Sequence, residues 1–223
     1  MKSNKWSQLL LDRAAFGGAD LSRKPAGDPG KRAGYETART ADRRRLCLTL
    51  AKHVASVMSA VCETRFAVRL GVVLEHAPGT SNPTTWVDCL AASPFGVFVV
   101  NQYSWTGAVT RSGNDDELLV RDDFGVASVQ TSPLRRAKPA LRYLRAMLDQ
   151  YGCPVEYIAV FPEPYCALDP ALPEAILQSP ELYHFMRTRL NRFCDKQSSF
   201  VDVHRVVAQL QYHCADLGRG VSE

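Results

Sequence analysis

The stretch SPFGVFVVNQYSWTG, Ser93–Gly107, decides the reading of this chain. In SPFG, proline presets φ and glycine frees the end of the turn, so the segment reads as a tight connection between two strands. The run Val97–Phe98–Val99–Val100 is continuous rather than alternating, which predicts a strand covered on both faces. It leads into a short polar exit of Asn101, Gln102 and Tyr103. A buried strand running into a polar mouth is a natural place for an active site. The residues at this mouth, however, are neither carboxylate nor lysine.

Upstream, TWVDCLAA (85–92) reads as the partner strand of an antiparallel hairpin, and FAVRLGVVLEH (66–76) as a further strand, with GTSNPTTW the loop between them. Before them, Leu46, Leu50, Val54, Val57 and Val61 recur at threes and fours, predicting a helix from Tyr35 to about Glu63. Downstream, weaker strands are expected near 106–110 and 117–120. Pro133 then opens a helix at the turn that tolerates it, with Leu134, Ala137, Leu141, Leu144 and Leu148 as its apolar stripe. Pro139 inside this pattern is expected to kink the helix or split off its first turn. VEYIAVF (155–161) reads as a buried strand parallel to an earlier one through a right-handed crossover. A proline-rich loop (162–173), short helices over 172–193 and a last helix over 199–215 complete the pattern. That last helix has Phe200, Val203, Val207, Leu210 and Cys214 on one stripe.

The fold class is therefore α/β, a mixed central β-sheet flanked by helices. Three regions are expected: a flexible extension over 1–33, the domain over 34–195, and a C-terminal helix within 196–223 packing on it. Inside the extension, residues 17–34 are rich in Gly and Pro and read as a linker, while Met1–Arg13 fits a short helix or disorder.

Apolar content of 46% with 22% charged residues is ordinary for a globular chain. The N-terminal leucine run is too short for a signal-peptide core, and no apolar run approaches the ~20 residues of a membrane span. Seven cysteines form no CxxC pair, and several sit in apolar runs, which predicts reduced core thiols in a cytoplasmic protein without membrane insertion. His53, His76, His184, His204 and His213 show no metal-ligand spacing, no Cys–His pair suits nucleophilic catalysis, and no glycine-rich phosphate loop follows a strand. No cofactor is expected.

From about Gly34 to Phe193 the chain resembles a NERD domain, the nuclease-related domain of the PD-(D/E)xK restriction-endonuclease-like superfamily. Gly34, Tyr35 and Glu36 match the family's helical Gly–Glu imperfectly. Val87–Asp88 match the start of its strand-borne "IDH". Ser93, Pro94, Gly96 to Val100, Trp105 and Gly107 fit "s-p-x-G-v-f-v-i-E-x-K-x-w-x-G" without a gap. Ser132–Pro133–Leu134–Arg135–Arg136 stands where the family has "n-P-l-x-Q". The resemblance implies a restriction-endonuclease-like fold. In active members it implies an Asp and a Glu that jointly hold Mg²⁺, with a Lys that positions the attacking water.

The departures fall on that chemistry. Asp88 remains, but Asn101 stands at the Glu position, Tyr103 at the Lys position and Arg136 at the Gln position. Asn offers a neutral oxygen and Tyr a phenol with pKa near ~10, so neither replaces what the metal requires. The reading is a domain whose catalytic set is vestigial. Arg136 is expected to face the old cleft and pair with Asp88, and Trp105 to serve packing rather than base stacking. A functional nuclease with a carboxylate recruited from Glu36 or Glu75 is the alternative.

Net charge is +4, and the segment Pro133–Gln150 alone carries five cations against Asp149, also a net +4. Arg135, Lys138, Arg142 and Arg145 recur at 3-4-3 and form one stripe. A solvated face with snorkelling side chains is the plain reading of such a stripe, and a partner or nucleic-acid contact is the functional one. Two partners stay open: nucleic acid, or a protein of DNA-processing or DNA-transfer machinery in a bacterium, for example where plasmid conjugation is inhibited.

Overall fold

The computed structural model describes residues 29–62, 65–81, 83–162, 166–196 and 200–215. The expected N-terminal helix and most of the linker lie outside the described residues. Helix α1 spans Pro29–Cys62, so it begins inside the segment read as linker. Pro29 sits in the first helical turn, where its missing N–H costs nothing.

Strands β1 (Ala67–Glu75), β2 (Thr84–Ser93) and β3 (Gly96–Gln102) form an antiparallel meander. Between β3 and α2 (Pro133–Leu148) lie β4 (Gly107–Arg111), β5 (Glu117–Arg121) and β6 (Ala127–Thr131). After α2 come β7 (Val155–Phe161), β8 (Cys166–Leu168), β9 (Ile176–Gln178), α3 (Leu182–Lys196), α4 (Val203–His213) and β10 (Cys214–Ala215). The main sheet has the order β10-β1-β2-β3-β7-β9, with β7 parallel to both β3 and β9. The smaller sheet has the order β6-β5-β4-β8. This is the mixed α/β architecture of restriction-endonuclease-like domains.

The core lies against the centre of the main sheet. Val97 to Val100 are 0–2% exposed, so both faces of β3 are covered, as the unbroken apolar run requires. Helix α1 packs on β1 and β2 with α3 beside it, while α2 packs on β7 and reaches β2. By length and composition the segment Asp42–Cys62 of α1 is long and apolar enough to cross a membrane. Its Cys47, Leu50, Val54, Met58 and Val61 are instead buried in the core.

Three local expectations need correction. Helix α2 runs unbroken through Pro139, whose side is exposed, so the carbonyl left without a donor four residues earlier can meet water. The segment 172–193 contains the short strand β9, a 3-10 turn at Ser179–Glu181 and one long helix rather than several short ones. Helix α4 starts at Val203, because the Asp202 Oδ1 accepts the backbone N–H groups of His204 and Arg205 and fixes the N-terminus there. Phe200 therefore precedes the helix and is exposed, stacking on Phe193 with ring centroids 5.8 Å apart.

Candidate functional site

The β2–β3 register sets the site. Cys89 pairs with Val100, so Asp88 and Asn101 stand opposite each other where the hairpin leaves its regular ladder. Asn101 extends that ladder with its side chain. Its Oδ1 accepts the Asp88 backbone N–H at 3.0 Å, and its Nδ2 donates to the Trp86 carbonyl at 3.2 Å. The one oxygen Asn101 could offer an ion is thus committed to backbone.

Asp88 is equally engaged. Its Oδ1 accepts the indole N–H of Trp86 at 2.6 Å and the thiol of Cys47 at 3.6 Å, and its Oδ2 accepts the Gln102 N–H at 3.0 Å. The Arg43 guanidinium lies 3.8 Å from Oδ1 and sits over the Trp86 ring, 4.4 Å from its centroid. Hydrogen bonds to an ionised acceptor are roughly twice as strong as neutral ones, so these donors and the cation together satisfy the carboxylate. A cavity of about 220 Å³ remains, lined by Arg43, Leu46, Cys47, Asp88, Gln102 and Ser104.

The cation on Asp88 is therefore Arg43 from α1, and not Arg136 as the sequence suggested. Arg43, Cys47, Leu50 and Val54 lie on one helical stripe, so the apolar periodicity read one turn further back puts Arg43 on the packed face of α1, though not over any particular strand. Arg136 is exposed on α2, near enough that its charge favours the phenolate forms of Tyr103 and Tyr157. Burial outweighs it and pushes both phenols up. The two hydroxyls bond each other at 2.9 Å, and the Tyr103 ring stacks on Phe161 and meets the edge of Trp105. Neither phenol is placed or poised to act as a base, and Trp105 packs as expected.

Glu75, one of the two candidate carboxylates, does not join Asp88 here. Glu75 ends β1 opposite Thr84, and by the β1–β2 register it stands four residues, about 13 Å, along the strand from the position facing Asp88. The Glu36 side chain lies outside the described residues. Among the described residues no cluster of three or more His, Cys, Asp or Glu could hold a metal ion.

The basic stripe on α2 is divided in the fold. Arg135 and Lys138 both bind Asp116, at 2.8 and 2.9 Å. The Asp116 carboxyl is held below its usual range by the Lys138 hydrogen bond first, with Arg135 adding to it. That attraction is present above the ordinary carboxylate pKa and fades as pH falls through the lowered one. Arg145 donates twice to the Val155 carbonyl, at 3.2 and 3.0 Å, fixing the start of β7. Arg142 is exposed and makes no ion pair among the described residues. Two cations of the stripe thus tie Asp116, the residue before β5, to α2, a third holds β7, and Arg142 with Arg136 is left facing solvent.

Cys47, Cys62, Cys89, Cys153, Cys166 and Cys194 are free thiols. Burial, then the Asp88 charge, pushes Cys47 up to about 12, and burial alone takes Cys62 to about 11. Burial likewise raises Cys153 to about 12. Raised folded values mean the protonated thiol is favoured, so this stabilisation is intact below pH ~9 and is lost as pH climbs toward the folded values. Iodoacetamide at neutral pH should label the exposed Cys194 first, with Cys47, Cys89 and Cys153 slower by at least about tenfold. Peptide mass spectrometry over a time course measures this, and fast labelling of Cys47 would show that α1 does not close the cleft.

Residues 53–162 match the family model of the NERD, or nuclease-related, domain. The match runs from the last third of α1 to just past the end of β7 and contains Asp88, Asn101, Tyr103 and Arg136. Arg43 and Cys47, which occupy Asp88 from α1, lie outside it. No curated protein and no solved structure matches the chain. The β2–β3 hairpin, the parallel β3–β7 pair and the helix between them thus form the frame over which residues 53–162 match the nuclease-related domain family.

Proposed function

We propose that this nuclease-related domain acts by binding rather than by hydrolysis, on a protein or nucleic-acid component of DNA-processing or DNA-transfer machinery. The observation that carries the reading is the saturation of Asp88. Mg²⁺ gives up water reluctantly and takes charged oxygens, whereas here one carboxylate serves Trp86, Gln102, Cys47 and Arg43. Its neighbour Asn101 is spent on the strand ladder. Pure protein should leave supercoiled plasmid intact with Mg²⁺ or Mn²⁺. Metal-dependent cleavage abolished by Asp88→Ala would establish the opposite reading, a nuclease with rearranged ligands.

The binding surface in this proposal is the exposed side of α2. Arg135 and Arg145 hold the fold, so reversing them would confound binding with stability. Arg136→Glu with Arg142→Glu touches neither the Asp116 pairs nor the Val155 carbonyl. The double variant should fold like the parent and bind a generic duplex DNA more than about tenfold more weakly. A linear fall of log affinity with log salt supports nucleic acid as the partner. A parent that shows no DNA binding directs the search to a protein partner, and a double variant that binds DNA like the parent removes this surface from the proposal. The cytoplasm of a bacterium, including the control of plasmid conjugation, is the setting this reading takes.

A further inference from the structure

Strand β6 ends the smaller sheet, and β5 is its strand partner. Natural edges are usually blunted by lysine, proline, a bulge or a covering element, because an open row of N–H and C=O groups invites another chain. Ala127–Ser128–Val129–Gln130–Thr131 contains no charge and no proline. At its tip and centre, Phe124, Val126 and Val129 are 92, 63 and 59% exposed. Apolar side chains this open along one hairpin are not accounted for by the domain's own packing.

The backbone directions are also fixed. The Val126 carbonyl accepts the Asp122 N–H, and the Ser132 N–H donates to the Asp116 carbonyl, so both point inward to β5. Alternation along the strand then sends the N–H and C=O groups of Ala127, Val129 and Thr131 outward. We propose that β6 is a dimerisation edge that pairs antiparallel with β6 of a second copy of this chain, with Val129 on the two-fold axis. Val129 exchanges both backbone hydrogen bonds with its own copy, Ala127 faces Thr131, and Ser128 faces Gln130. A two-fold interface must be self-complementary, and a strand free of charge meets itself without repulsion.

Charge at the two ends argues for a second copy over an unrelated strand. Val126 and Ser132 stand three residues to either side of Val129, about 10 Å away. Beyond Val126 the tip carries Asp122 and Asp123 against Arg121 opposite Ala127, one negative charge in excess. Asp122 is used internally by the N–H groups of Phe124 and Val126, while Asp123 makes no ion pair among the described residues. Beyond Ser132 the base carries Arg135, Arg136 and Lys138 against Asp116 and Glu117, one positive charge in excess. Antiparallel pairing brings the acidic tip of each copy to the basic base of the other, twice per dimer. The inference is independent of the binding role proposed above and leaves Arg142 open.

Sedimentation velocity of the full chain over a concentration series tests the inference. The parent should associate to a dimer, more weakly as salt rises. Val129→Pro removes an outward N–H and no bond to β5, so it should fold with an unchanged near-ultraviolet circular dichroism spectrum and sediment as a monomer. Asp123→Lys, away from the strand, should raise the dimer dissociation constant at least about tenfold at low salt. A parent that stays monomeric at every concentration, or a dimer that Val129→Pro leaves intact, overturns the assignment. So does a monomeric parent whose β6 binds a strand from another protein.

Discussion

Gly107→Ala should lower the stability of the chain by about 4 kcal/mol, at the top of the range that single substitutions reach. Gly107 opens β4 at φ +91°, a region that L side chains rarely adopt. A Cβ there would fall well inside van der Waals contact with the Arg121 carbonyl oxygen and 2.9 Å from the Asp122 Cα. Both obstacles are backbone, so relief requires β4 and β5 to separate, and β4 is the strand that joins β5 to β8. Gly113→Ala is the control, because nothing lies within 4 Å of its added methyl. Its urea midpoint should match the parent within about 0.5 kcal/mol. Gly107→Ala unfolding at the parental midpoint would mean that the two strands do not approach this closely.

Asp88→Ala should cost about 3 kcal/mol, and Asp88→Asn clearly less. The side chain is only 14% exposed, and its loss leaves the Trp86 indole N–H and the Gln102 N–H without acceptors and Arg43 without its counter-charge. A buried donor deprived of its partner costs about 1–3 kcal/mol, and two such donors with partial access to water set the figure. Asparagine keeps one acceptor oxygen, which explains the order. The sign matters more than the size. Where two carboxylates are held together for an ion, removing one relieves like-charge repulsion, and stability without metal rises or holds. Thermal and urea midpoints for both variants decide this. A stabilised Asp88→Ala would show a carboxylate at odds with its neighbours, contrary to the donors described around it.

The sequence makes the centre of the fold legible and the edges poorly so. The β2–β3 hairpin follows from turn chemistry at Ser93–Gly96, and a buried β7 parallel to an earlier strand from its apolar run after a helix, while the pairing with β3 is given by the fold. Strand β6 has no comparable signal, because Ala127–Thr131 is mostly exposed and its short polar residues suit a loop equally well. Strands β8 and β9 are three residues each, too short for any period to show. The Asp88–Asn101 juxtaposition is readable from the hairpin alone. Arg43 is not, because its contact depends on where α1 crosses β2. The stripe on α2 is real as periodicity, yet its meaning rests on Asp116 and on the Val155 carbonyl, neither of which sequence spacing can bring to it.

The order of the main sheet has a consequence for the chain as it is made. Strand β3 meets β2 through the two-residue turn Pro94–Phe95, but its other neighbour, β7, is synthesised only after β4, β5, β6 and α2. Closing a loop of that length costs entropy that the short hairpin avoids, so the hairpin forms first and β7 docks late. During translation, at about 5–20 residues per second, a strand whose first five residues are buried in the finished fold therefore waits for seconds with one edge open. The nascent chain is most vulnerable to aggregation in that interval, and shielding by a ribosome-bound chaperone matters most between the emergence of Val100 and that of Phe161.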